Sequence, residues 1–185
     1  MAKPGDAVVL TRPPRPTKYQ TAVETTYISG NKPVTAKFDV TEDFCRLLGW
    51  FCSLGTVETI TIKERKTVVF SLETYSDEDE DVDKSEQIVN SLSRLGIPFS
   101  VSCNSQSFSY VTAYSEELAN IFLSLVPEKK LSERQLPDLL FNIPQEMQKA
   151  FLQGAIITEC SEGWNPYEIY AFHSKQTADK FVFFV

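Results

Sequence analysis

Apolar residues follow two different periods along this chain, and each change of period marks a predicted element. From residue 40 to residue 55 they recur every three or four positions, which is the spacing of an amphipathic helix. Two segments of alternating β-branched residues come next, then a helix, two more alternating segments and a further helix. The order αββαββα predicts an α+β fold with an antiparallel sheet.

Capping residues and turns set the predicted bounds. Thr41 precedes two acidic residues at the start of the first helix, Gly55 ends it, and Gly96 with Pro98 ends the second. Predicted helices span 41–54, 82–95, 115–126 and 144–159, and predicted strands span 57–63, 67–73, 99–103 and 108–114. A last strand is predicted over 167–173, with a strand or helix start over 177–185.

Four segments are predicted from the change in composition along the chain. Residues 1–37 contain five of the ten prolines and little periodicity, so an extended Pro-rich N-terminal arm is expected. Residues 38–127 hold the αββαββα repeat, and residues 128–143 link it to a new helix. That helix resembles the start of the first repeat, so residues 144–185 are predicted to be a partial second repeat.

The charge of the chain limits its partners. A formal net charge of −7 and a pI near 4.8 argue against strong non-specific binding of nucleic acid, which needs a basic surface. No apolar run is long enough for a membrane helix, and the N-terminus lacks the apolar block of a signal peptide. We therefore expect a soluble, intracellular protein with no membrane contact. The widely spaced Cys45, Cys52, Cys103 and Cys160 are predicted to be buried free thiols.

Two helices end in similar strings about 105 residues apart. Residues 47–55 read LLGWFCSLG and residues 151–161 read FLQGAIITECS. Both resemble the signature of the LAGLIDADG homing-endonuclease family, including intein-type endonuclease domains, in which a motif helix ends in an acid followed by glycine. The resemblance covers roughly residues 38–175 and implies a LAGLIDADG-like αββαββα domain followed by an incomplete second repeat.

The resemblance also assigns roles to motif positions. Gly49 and Gly154 would lie at the interface of the two motif helices, where small residues permit close packing. Glu159 occupies the acidic position of the second motif, whereas Leu54 occupies that of the first, and Cys160 replaces the glycine expected after the second acid. The motif is therefore degenerate in this chain.

The family's two acids bind the divalent metals that drive phosphodiester cleavage. Leu54 offers no oxygen ligand to a hard cation, so cleavage by a single chain is predicted to fail. Glu42 lies at the far end of the helix and Glu58 lies beyond the turn, so neither is expected to replace the missing acid. Glu159 is the one candidate catalytic and metal-binding residue, and Mg²⁺ is expected only if some cleavage activity remains.

Strand alternation predicts which side of the sheet faces nucleic acid. One side, with Val68, Phe70, Val101 and Tyr110, is predicted to face the helices. The predicted nucleic-acid-contacting residues on the other side are Thr59, Thr61, Lys63, Thr67, Ser71, Ser100, Ser102, Ser107 and Ser109. Hydroxyl groups can contact phosphates and base edges, but bidentate base recognition needs longer polar side chains. Binding of DNA or RNA is accordingly expected to be weak.

Three functions fit these patterns. The first is a degenerate homing-endonuclease-like pseudoenzyme that retains at most nucleic-acid binding. The second is a structural or interaction subunit of a larger assembly, such as a ribonucleoprotein, polymerase or virus particle, which would bind a protein partner or a second chain. The acidic charge, the Pro-rich arm and the apolar segment at 181–185 favour that alternative. The third is a metal-dependent DNA endonuclease that is active as a dimer through Glu159.

Overall fold

Residues 16–60, 65–73, 80–104, 108–127 and 134–159 are described in the computed structural model of the chain. The strands are β1 (Ala22–Ser29), β2 (Lys32–Asp39), β3 (Gly55–Ile60), β4 (Arg65–Glu73), β5 (Phe99–Asn104) and β6 (Phe108–Ala113). The helices are α1 (Glu42–Leu54), α2 (Glu80–Arg94), α3 (Glu116–Leu125) and α4 (Gln145–Glu159), with a 3₁₀ helix at Asp138–Asn142. The elements predicted at 167–173 and 177–185 lie outside the described residues.

From α1 to α3 the elements follow the predicted αββαββα order, and the α+β fold class is confirmed. Local signals explain the helix starts. The Thr41 hydroxyl accepts a hydrogen bond from the Phe44 amide at 3.2 Å, and the Ser115 hydroxyl accepts one from the Leu118 amide at 3.1 Å. Gly55 ends α1 and begins β3 with no connecting residue, so the end of the helix sets the phase of the strand.

The structure differs from the predicted extended arm over residues 22–37, because these residues belong to the antiparallel β1–β2 hairpin. Gly30 and Asn31 form its tip at φ +53° and +66°, the left-handed pair that a tight hairpin turn requires. Val23 and Ala36 are buried on its inner face, and the hairpin packs against α3. The sequence prediction followed the prolines and not the alternation of inner and outer residues along these strands. Pro33 is nevertheless compatible with an outer strand of a hairpin.

The other four strands form one antiparallel sheet in the order β3-β4-β6-β5. The helices α1, α2 and α3 contact this sheet. The core between helices and sheet is aromatic: the Phe122 ring lies 4.9 Å from the Phe51 ring and 5.8 Å from the Phe44 ring, measured between centroids. Phe70, Val111 and Ala113 are fully buried on the sheet side of the same core.

Because directly paired residues of an antiparallel sheet point to the same face, the register assigns each residue to a face. Val68 and Phe70 face the helices as predicted, and Val101 of β5 is on the same side. The prediction is wrong for β3 and β6, where the phase is inverted. Thr59 pairs with Lys66, whose amine reaches Asn120 of α3, so Thr59 is on the helix side.

The inverted phase of β6 has a packing reason. Val111 pairs with Phe70, and Ala113 pairs with Val68, so these small residues lie beneath the helices. The phenylalanine rings of α1 and α3 pack above the central strands together with Phe70 of β4, and β6 contributes the smaller Val111 and Ala113 to the same core. Tyr110 therefore lies on the opposite face, which corrects the prediction from strand alternation that it faces the helices.

Candidate functional site: the paired motif helices and the open sheet face

The motif helices α1 and α4 pack against each other through two glycines. A Cβ atom on Gly49 would overlap the carbonyl oxygen of Phe151 and lie 2.8 Å from the amide nitrogen of Ala155. A Cβ atom on Gly154 would overlap the carbonyl oxygen of Arg46 and lie 3.0 Å from its carbonyl carbon. The two helices therefore approach with backbone against backbone, and a larger residue at either position would force them apart.

A buried serine joins the helices one turn farther along α1. The Ser53 hydroxyl lies 3.3 Å from the carbonyl oxygen of Gly49 and 3.2 Å from that of Ala155. Its single hydrogen is donated to one of these oxygens at a time. Sequence analysis did not single out Ser53, although a small polar residue four positions after Gly49 lies on the same helix face.

An ionic cluster holds the opposite end of α1. The Asp43 carboxylate accepts hydrogen bonds from Arg46 at 3.0 Å, Ser91 at 3.1 Å and Arg94 at 3.3 Å, so it connects α1 to α2. Arg46 also lies 3.4 Å from the side-chain oxygen of Gln153 in α4. These contacts fix the direction in which α1 presents its C-terminal end.

Leu54 is the last residue of α1, and Glu159 is the last residue of α4. Leu54 is half-buried and packs against the hydrophobic core. The side chain of Glu159, like Cys160, lies outside the described part of the chain. The helix ends thus carry one hydrocarbon side chain and one acidic residue at the two motif positions.

Arg134, from the linker before α4, occupies the end of α1. Its Nη1 atom donates to the carbonyl oxygen of Phe51 at 2.7 Å and lies 3.4 Å from that of Cys52. The guanidinium carbon lies 5.2 Å from the centroid of the Phe51 ring, and the residue is 6% exposed. Arg134 carries no local sequence signal for this role, because nothing in its neighbourhood indicates that a linker arginine contacts the end of a helix some 80 residues earlier.

At this end, the described side chains offer a divalent cation no oxygen ligand at the first motif position. Within the described ranges there is no group of three or more His, Cys, Asp or Glu residues that could hold a metal ion. Leu54 lacks an oxygen ligand, and the Arg134 guanidinium brings a positive charge to the end of α1. Glu42 lies at the opposite end of that helix, and Glu58 lies on the sheet face away from the helices.

The sheet face away from the helices, here called the open face, contains part of the predicted nucleic-acid-binding set. By register, its described residues are Thr56, Glu58, Ile60, Arg65, Thr67, Val69, Ser71, Ser100, Ser102, Tyr110 and Thr112. Thr67, Ser71, Ser100 and Ser102 are therefore on the predicted side. Thr59 and Ser109 are on the helix side, which corrects their prediction, and the remaining three, Thr61, Lys63 and Ser107, lie outside the described residues.

The open face is accessible along its two edges and closed at its centre: Thr56, Glu58 and Arg65 are exposed at the β3 edge, and Ser102 is exposed at the β5 edge. Thr67 and Val69 of β4 are buried, and the Thr67 hydroxyl donates to the Glu58 carbonyl at 3.3 Å. Ser102 is exposed, and the Tyr114 side chain, just after β6, is 45% exposed. The Tyr114 hydroxyl lies 2.8 Å from that of Ser100, which orients the ring across the sheet. Residues 110, 112 and 114 are two positions apart along β6 and its continuation, and they therefore lie on the same face. This alternation is the sequence signal for the surface.

The described cysteines are free, but they differ in burial. Cys45 is buried, and desolvation raises the pKa of its thiol to about 12. Cys52 is half-buried, whereas Cys103 is exposed on β5, so the prediction of burial is wrong for Cys103. Its sulfur lies 3.3 Å from the Ser109 hydroxyl.

No protein-family model and no curated protein matches the chain. Among solved structures, it is similar to the N-terminal LAGLIDADG domain of DUF199/WhiA, with 22% identity over 65% of this chain and 49% of that domain, at a TM-score of 0.39. Mesophilic variants of the homing endonuclease I-DmoI match with 12% identity over 66% of this chain and 64% of theirs, at a TM-score of 0.44.

The chain thus spans about half of the length of the WhiA domain, and it spans 33% of full-length DUF199/WhiA from Thermatoga maritima. In the described part of the chain, every helix is too short or too polar to cross a membrane.

Proposed function

We propose that this chain is a LAGLIDADG-type nucleic-acid-binding protein that does not cut its ligand. The observation that carries the proposal is the close pairing of α1 and α4 at Gly49 and Gly154, combined with leucine at the end of α1. The packing that brings two motif ends together is retained, while the first of the two acidic positions is lost. Such a protein keeps a scaffold for binding and lacks the means for cleavage.

The absence of cleavage follows from coordination chemistry. Metal-assisted hydrolysis needs oxygen ligands that hold the cations against the attacking and leaving oxygens. Leu54 has none, and hard divalent cations do not bind hydrocarbon. Glu159 at the end of α4 would be a single carboxylate where two are required.

Binding is assigned to the accessible part of the open face. Ser100 and Ser102 present hydroxyl groups that can contact phosphate oxygens, and Arg65 supplies an exposed cation at the other edge of the sheet. The exposed Tyr114 ring can stack on a base. Glu58 is exposed on the same face and opposes a polyanion, so we expect a weak complex.

The test is binding of the purified full chain to labelled duplex DNA and to structured RNA across a salt series, with Mg²⁺ present so that products are visible on the same gels. We expect salt-sensitive binding and intact nucleic acid. The Ser100→Ala/Ser102→Ala variant should bind more weakly, whereas Thr26→Ala, on the outer face of the hairpin, should bind like the original chain. Cleaved product, or no binding at low salt, would overturn the proposal.

A second candidate function is that of an interaction subunit in a larger assembly. It is favoured by exposed apolar side chains outside the open face: Ile28 at the hairpin tip is 67% exposed, and Val101 on edge strand β5 is 48% exposed. Edge strands and exposed apolar residues are typical of surfaces that pair with another chain. Light scattering of the isolated chain tests this: a monomer at all concentrations, combined with nucleic-acid binding, would favour the first function.

A dimeric endonuclease that used Glu159 from two chains is less compatible with the packing. The glycine face of α1 is already covered by α4 of the same chain, so a second copy could reach it only if α4 moved away. If any cutting were observed, Glu159→Gln would abolish it under this model. An unchanged cutting rate in that variant would exclude the model.

A further inference from the structure

We propose that the Arg134 side chain is the cation that stabilises the C-terminal end of α1. An acidic residue placed at position 54 would then pair with Arg134 instead of binding a divalent metal. The inference goes beyond the proposed function, because it concerns the ion that this helix end accepts and not the ligand of the sheet. It follows from the misfit between a metal site and the residues present at this end.

The first observation is the hydrogen bonding of Arg134. The last four carbonyl groups of a helix lack partners within the helix, and the C-terminal end carries a partial negative charge. Arg134 donates at 2.7 Å to the Phe51 carbonyl, which also accepts from the Gly55 amide, and it approaches the carbonyl of Cys52, in the last turn of α1, at 3.4 Å. The guanidinium therefore places a positive charge at the end of α1, where the helix dipole favours a cation.

The second observation is the enclosure of this cation. Arg134 is 6% exposed, and its guanidinium lies over the Phe51 ring. The last turn of α1 contains no basic residue, so the cation comes from the linker and not from the helix. Gly55 follows α1 directly as the first residue of β3, and its amide donates to the same Phe51 carbonyl. The guanidinium therefore lies at the junction of α1 and β3, with no loop between them.

The third observation is the position of Leu54 relative to this contact. Leu54 follows Phe51 by three residues, so the two are neighbours on the helix surface. Cβ atoms three residues apart on a helix are separated by about 5–6 Å, so we expect a carboxylate at position 54 to reach the guanidinium bonded to the Phe51 carbonyl. A divalent cation at the same place would be repelled by that guanidinium, whose charge persists at any accessible pH. Leucine avoids both interactions and packs against the core.

The test compares the thermal unfolding of full-length Leu54→Asp and Leu54→Asn, which are nearly isosteric. With Arg134 present, we expect Leu54→Asp to unfold a few degrees higher than Leu54→Asn. The difference should disappear when both are combined with Arg134→Met. MgCl₂ or MnCl₂ should raise the Tm of Leu54→Asp no more than that of Leu54→Asn.

Two results would overturn the inference: a Tm rise with Mg²⁺ or Mn²⁺ that is specific to Leu54→Asp, or equal Tm values for the two variants without metal. If the Arg134→Met background fails to fold, the metal titrations of the single variants still decide the question. No nucleic acid is used, so the outcome is independent of whether the open face binds DNA or RNA.

Discussion

At the residue scale, Gly49 and Gly154 are positions where one added methyl group meets backbone atoms of the facing helix. Backbone cannot rotate away as a flexible side chain can, so the helices must separate. We expect Gly49→Ala or Gly154→Ala to lower the free energy of unfolding by about 1 to 3 kcal/mol, the range for overpacked cores. Chemical denaturation measures this, with exposed Lys149→Ala in α4 as the control. Equal stability of all three variants would contradict the packing described here.

Cys45 makes a pH dependence testable at the same scale. Desolvation raises the pKa of its thiol from 9.0 to about 12, so the folded state retains a proton that the unfolded state loses. The stabilising contribution of this group is present below pH 9 and is lost as the pH rises from 9 towards 12. Unfolding of the original chain should therefore become easier across this window, and less so in Cys45→Ala. Parallel curves for both proteins would refute the prediction.

At the element scale, the β1–β2 hairpin depends on a turn that favours only a few residue types. Asn31 has φ +66°, a conformation that asparagine and glycine tolerate better than alanine. We expect Asn31→Ala to cost about 1 kcal/mol of unfolding free energy, whereas Asn31→Gly should be near neutral. Thermal unfolding of the two variants distinguishes them. A larger loss in Asn31→Gly than in Asn31→Ala would show that the side chain, and not the backbone conformation, matters.

At the scale of the whole molecule, the net charge of −7 limits how many phosphates the chain can neutralise. Arg65 is the exposed cation among the described side chains of the open face, and Glu58 opposes it. We predict a shallow salt dependence, with log K falling against log salt at a slope of roughly −1, as for about one neutralised phosphate. Anisotropy titrations between low and moderate salt measure the slope. A slope near −8 would indicate a basic surface outside the described residues.

Local sequence was sufficient for most helices and strands of this protein. Thr41 and Ser115 begin helices through their own hydroxyl groups, and Gly55 ends one, so nearby residues carry the whole signal. The two glycine-containing motif helices were likewise recognisable from the strings at 47–55 and 151–161. Gly49 and Gly154, which belong to the strings that resemble the LAGLIDADG signature, contact the facing helix in the structure.

Other features depend on residues that are distant in sequence. The faces of β3 and β6 were inverted in the prediction, because alternation reveals a period but not its phase, which the rings of Phe51 and Phe122 select by filling the core. Arg134 became part of the site through its bond to the Phe51 carbonyl, a contact across 83 residues. Local propensity therefore accounts for where the elements begin and end. Packing between distant segments accounts for which side chains face outward and which charge occupies the end of α1.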